Sequence, residues 1–116
     1  MTRFFVVEDE MMVVMLLEDM LGDLGHQSVG TAQRLEAATK AAACVEADAA
    51  ILDVNLAGDL SFPVADILQT RKIPFMFATG YGRVGLEDRF PDAVVIAKPF
   101  TLRQLETAIS QLQPVG

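Results

Sequence analysis

Apolar and polar residues along this chain follow two alternating periods. Arg3 to Val7 is a short apolar run rich in β-formers and reads as a buried strand. From Glu10 to Leu24 the period lengthens. Val13, Leu16, Leu17, Met20, Leu21 and Leu24 fall on one helical face, and Gly25 stops the helix. Gln27 to Thr31 is a weaker strand. Arg34 to Val45 is alanine-rich and predicts a helix with Leu35, Ala38, Ala42 and Val45 inward. Ala49 to Leu52 is a second buried strand, ending on Asp53. Ser61 stands as an N-cap, with Pro63 in the first turn and Val64, Ile67 and Leu68 inward. Pro74 to Ala78 and Val94 to Ala97 are further apolar strands. The glycine-containing stretch from Gly80 to Pro91 between them predicts at most a short helix. Thr101 and Gln104 match a capping box that opens a last helix, with Leu102, Leu105, Ile109 and Leu112 inward.

The order is β-α-β-α-β-α-β-(α)-β-α. Strands apolar on both faces, alternating with helices, predict an α/β fold with a parallel sheet covered on both sides. Length agrees: 116 residues predict one domain, 1–116, with 113–116 a short tail and no output domain expected. Hydrophobic residues at 52% supply a core, and 22% charged residues fit an ordered chain.

Charge narrows the partners. The net charge of −7 argues against nucleic acid, whose phosphates call for basic residues. The longest apolar run, Met11 to Leu17, is far below the roughly 20 residues a membrane span needs. It also follows three acids rather than the basic start of a signal peptide. The single cysteine, Cys44, reads as a buried inert thiol in a reducing, cytoplasmic setting. His26 reads as a surface loop residue with no evident partner.

Chemistry in a parallel α/β sheet sits at the carboxyl ends of its strands. Glu8 and Asp9 follow the first strand, Asp53 ends the third, Thr79 follows the fourth and Lys98 the fifth. Singly, each has an ordinary reading. Glu8-Asp9-Glu10 suits a helix N-terminus, Asp53 a turn, Thr79-Gly80 a turn, and Lys98 a solvated loop. Together they describe one crevice. Three carboxylates forced together call for a cation, and oxygen-only ligands suit Mg²⁺. A lysine and a threonine hydroxyl can each take a phosphoryl oxygen, and an aspartate can accept the phosphoryl group itself.

Over its whole length the chain resembles the response-regulator receiver family. The matching residues are Val6-Val7-Glu8-Asp9-Glu10, Ile51-Leu52-Asp53-Val54-Asn55, Thr79 and Lys98-Pro99-Phe100. Pro74 to Gly82 further resembles the Phe-Ala-Thr-Gly-Tyr subfamily, often stand-alone receivers of α-proteobacteria. The resemblance implies a doubly wound, flavodoxin-like, five-stranded sheet in the order 2-1-3-4-5. It implies a module of two-component signalling that is not a conventional enzyme. Asp53 would accept a phosphoryl group from a histidine kinase or a histidine phosphotransfer protein. Glu8, Asp9, Asp53 and the Asn55 backbone carbonyl would hold Mg²⁺, with Mn²⁺ as the alternative ion, and Thr79 and Lys98 would contact the phosphoryl group.

Two departures bear on signal readout. Val95 stands where most receivers carry an aromatic switch residue, and Ala57-Gly58 replaces a common proline. Gly80 to Pro91 is then the expected bistable segment, with glycines at 80, 82 and 85, and Tyr81 and Asn55 are expected to flank the acyl phosphate and lengthen its lifetime by excluding water. Met11, Met12, Val14 and Met15 are expected partly outside the core face. With Pro99 and Phe100, Met11, Met12 and Met15 are the expected docking residues for the kinase or phosphotransfer helices. The expected assembly is a monomer or weak dimer. A non-phosphorylated pseudo-receiver, a metal-dependent phosphohydrolase and a flavin-binding module are the competing readings. The intact acidic set, the short chain and the acids after strand one weigh against each in turn.

Overall fold

The computed structural model describes residues 2–80, 86 and 89–112. Its elements are β1 (Arg3–Val7), α1 (Met11–Asp23), β2 (Gln27–Ala32), α2 (Leu35–Ala42), β3 (Ala49–Asp53), β4 (Asn55–Leu56), β5 (Asp59–Leu60), α3 (Phe62–Thr70), β6 (Phe75–Thr79), β7 (Val94–Ala97) and α4 (Leu102–Gln111). The main sheet is parallel, in the order β2-β1-β3-β6-β7. With the small antiparallel hairpin β4–β5 set aside, this is the expected 2-1-3-4-5 order.

Successive strand residues point to opposite faces, so each strand feeds two cores. Phe5, Val7, Ala50, Leu52 and Phe77 pack with Ala38, Ala42, Val64, Ala65 and Leu68 of α2 and α3. Phe4, Val6, Ala49, Ile51, Met76 and Ala78 pack with Leu17, Leu21, Leu105 and Ala108 of α1 and α4. The inner strands β1, β3 and β6 are therefore apolar at nearly every position and read as unbroken runs, while the edge strand β2 is partly polar and exposed.

Register fixes where the strands end. Val7 lies opposite Leu52, Asp53 opposite Ala78, and Thr79 opposite Ala97. The next residues of β1 and β7, Glu8 and Lys98, thus emerge beside Asp53 and Thr79. Lys98 N–H donates to the Thr79 carbonyl at 2.9 Å.

Helix ends follow local rules. Thr101 and Gln104 form both bonds of the capping box, at 3.1 and 2.8 Å. Gly25, at φ +83°, closes α1: its N–H donates to the Gly22 carbonyl at 3.1 Å and His26 N–H to the Leu21 carbonyl at 2.7 Å.

Several expectations are corrected. The buried face of α1 is Val14, Leu17 and Leu21, while Leu16 is 46% exposed. The helix is apolar nearly all round at its start, so periodicity alone could not set its rotation. Leu102 is also partly exposed, at 38%. α2 ends at Ala42, where the Arg71 guanidinium donates to the Ala42 and Val45 carbonyls at 2.7 and 2.8 Å. Cys44 falls beyond that end and is exposed, not buried. His26 does have a partner: its Nδ1 accepts the Thr2 N–H at 3.1 Å, and its ring meets Phe4 edge-on. Ser61 takes the N-cap position of α3, but its backbone (φ −83°, ψ 7°) is not extended and its hydroxyl makes no cap bond. No helix among the described residues is long and apolar enough to cross a membrane.

Candidate functional site

Asp53, Thr79 and Lys98, together with Asp9, Glu10, Asn55 and Gly80, line a pocket of about 380 Å³ at the carboxyl end of the sheet. Asp53 ends β3 and is 9% exposed, and Thr79 ends β6 and is buried. Lys98 reaches across from the end of β7. Its Nζ lies 3.3 Å from Asp53 Oδ2 and also donates to Glu8 Oε1. Glu8 is 1% exposed, and its second oxygen accepts the Glu10 N–H at 3.0 Å.

Glu8 therefore stands behind the pocket, gripping Lys98, while Glu10 lines it. The acid triplet suggested this only in part. A carboxylate at the strand end points inward, and the one two residues later returns to the rim. Asp9 Oδ2 accepts the Ala57 N–H at 3.1 Å, Asp53 Oδ1 the Asn55 N–H at 3.4 Å, and Asn55 Oδ1 the Gly58 N–H at 2.7 Å.

Among the described residues one ammonium thus faces several carboxylates, and their acidities follow. Burial pushes Glu8 up to about 7, although the Lys98 hydrogen bond pulls the other way. Burial also raises Asp53 against the attraction of Lys98. Asp9 is drawn below its usual range: its partial burial opposes this, but hydrogen bonds from Glu8, Asp53 and Ala57 prevail. Burial depresses Lys98, yet Glu8 and Asp53 outweigh it and raise it overall.

A hard divalent cation fits this donor set. One oxygen from each of Glu8, Asp9 and Glu10 lies within 4.8 Å of the others, and the acceptors these side chains offer are all oxygen.

No protein-family model matches the chain. Relatives do. SdrG from Sphingomonas melonis Fr1 is 42% identical over 95% of this chain and 94% of that one, with a TM-score of 0.84. The REC domain of the Erythrobacter litoralis response regulator PhyR is 32% identical over 95% and 88%, with a TM-score of 0.81. The chain belongs to the response-regulator receiver family. This receiver is thereby placed in two-component signalling. The phyllosphere-induced regulator PhyR of Methylorubrum extorquens is 35% identical over 114 residues. The receiver covers 43% of that regulator and spans about half the length of the curated relatives it matches. SdrG is also solved in a BeF3-activated conformation, 41% identical to this receiver.

The remaining expected residues are scattered. Met11, Met12 and Met15 are 52%, 83% and 57% exposed on α1, where Val14 is buried instead. Pro99 is exposed, but Phe100 is buried against Ile96, Leu105 and Ala108, which leaves it no docking surface. Val95 is half-buried against the α2–α3 side of the sheet. Tyr81, Gly82 and Gly85, with most of the expected switch segment and the tail from 113, lie outside the described residues.

Proposed function

We propose that Asp53 accepts a phosphoryl group from the phosphohistidine of a histidine kinase or a histidine phosphotransfer protein. The observation that carries this reading is Lys98 Nζ at 3.3 Å from Asp53 Oδ2, in a pocket walled by Asp9, Asn55 and Thr79. A relative's BeF3-activated conformation supports it, since trifluoroberyllate on a carboxylate imitates a phosphoryl group.

An Asp53 oxygen attacks phosphorus in line; the P–O bond forms as the P–N bond breaks, and the imidazole leaves with a proton. Lys98 is placed to pair with the arriving phosphoryl oxygens, and Thr79 offers a hydroxyl at the same wall. Asp9, Asp53 and the Asn55 carbonyl, backed by the buried Glu8, would hold Mg²⁺ or Mn²⁺, which when bound offsets the negative charge on the transferred group. Glu8 serves from behind, by orienting Lys98. Hydrolysis later returns Asp53 and releases inorganic phosphate. The exposed Met11, Met12 and Met15 are the surface we assign to the phosphodonor's helices, because flexible methionine adapts to a partner.

Intact-mass spectrometry after incubation with acetyl phosphate tests the chemistry. A single phosphoryl adduct is expected with Mg²⁺ and neither with chelator nor in Asp53→Asn. A wild type that stays unmodified with acetyl phosphate and with a phosphorylated histidine kinase would make the protein a binding module of receiver fold.

A further inference from the structure

Two of the pocket's carboxylates also hold the chain that follows Asp53. Asp53 Oδ1 accepts the Asn55 N–H, and Asp9 Oδ2 accepts the Ala57 N–H at 3.1 Å. The segment they hold is the β4–β5 hairpin, whose two turn residues both have positive φ: Ala57 at +53° and Gly58 at +99°. Glycine takes such a conformation freely, but alanine does so only when its surroundings hold it. The Asn55 side chain closes one side of the turn on Gly58, and Asp9 closes the other on Ala57.

The hairpin's base is fixed. Leu56 is fully buried, and Ser61 N–H donates to the Val54 carbonyl at 2.8 Å where α3 begins. Its outer half is not: Ala57, Gly58, Asp59 and Leu60 are all exposed.

We propose that this hairpin reports the state of the acidic pocket, with Asp9 as the link. A divalent cation drawn to the pocket competes for the carboxylate that now restrains Ala57. An ion's hold on a carboxylate exceeds that of one neutral N–H, so Asp9 turns to the cation and the turn is released. Ala57, no longer held, relaxes out of its strained conformation and carries Asp59 and Leu60 with it. The inference rests on the pocket being the Mg²⁺-dependent phosphoryl site proposed above.

Amide hydrogen exchange of the full chain, followed by NMR with Mg²⁺ alone or with chelator, tests it, while calorimetry measures Mg²⁺ binding independently. Ala57 exchange is expected to quicken about fivefold or more at saturating Mg²⁺, the scale of one lost hydrogen bond. Val7, inside β1, should be unchanged. In Asp9→Asn the acceptor remains but the charge that attracts the ion is gone, so Ala57 should stay protected in both conditions. Mg²⁺ binding with unaltered Ala57 exchange would overturn the hairpin link and leave the site reading intact. No binding by calorimetry would overturn both.

Discussion

Two kinds of charge cluster occur in this receiver, and they differ in stoichiometry. At the surface, Arg89 pairs with Asp66 at 2.7 Å and Arg3 with Asp48 at 3.2 Å, one cation to one anion, each side chain about half exposed. At the end of the sheet, among the described residues, Lys98 is the one cation that pairs with Glu8 and Asp53, with Asp9 beside them, and the Glu8 side chain is 2% exposed. Asp48 is held below its usual range by Arg3, whereas Glu8 and Asp53 are pushed up by burial. Matched charges in water reach an ordinary balance. Unmatched charges in a low-dielectric pocket leave a standing demand for positive charge, which a cation can meet.

Breaking the buried cluster is the severest test. Lys98→Met should slow phosphoryl adduct formation by about 10²-fold or more, the scale of losing one preorganised electrostatic donor. It should also cost about 1–3 kcal/mol, since Glu8 takes up a proton rather than standing bare. Mass spectrometry over time and urea unfolding would measure the two; an unchanged rate would show that Lys98 serves only as Glu8's counter-ion.

The pH dependence comes next. Glu8 titrates near 4.5 unfolded and about 7 folded, so between these values the folded chain binds more protons than the unfolded one. The stability this contributes is fully present below about 4.5 and is lost as pH rises through about 7. Asp53, also raised, acts in the same direction. Urea midpoints in chelator should therefore fall across that window, and Glu8→Gln should flatten the decline. Mg²⁺ affinity should rise over the same window as Glu8 sheds its proton. A decline that Glu8→Gln leaves unchanged would place its origin elsewhere.

Smaller effects mark the rest of the contrast. Ser61 Oγ is buried with no hydrogen-bond partner among the described residues, so Ser61→Ala should raise stability by about 1 kcal/mol in urea unfolding. Asp66→Asn, which breaks a half-exposed pair, should change stability by less than about 1 kcal/mol. A larger loss there would mean that the surface pairs are not the inert members of the comparison. Arg89 also lies over the Phe62 and Phe90 rings, at 5.4 and 5.5 Å, so its packing persists in that variant.

By itself the sequence determined whatever short-range physics governs. The runs Phe4 to Val7, Ala49 to Leu52, Phe75 to Ala78 and Val94 to Ala97 became strands because they are apolar at every position. Thr101 and Gln104 formed their box because both bonds span three residues. Since parallel strands end together, the order of the runs alone places Glu8, Asp53, Thr79 and Lys98 at one end of the sheet. Tertiary structure decided the rest. The rotation of α1 depends on which side of an all-apolar turn meets the sheet, which put Val14 inside and Leu16 outside. The β4–β5 hairpin is only two residues on each side, too short to show a period, and it is held by Asp9 from 48 residues away. Glu8 gripping Lys98 spans 90 residues. Contacts at such separations carry no local pattern; they exist only once the sheet has brought its strand ends to one place.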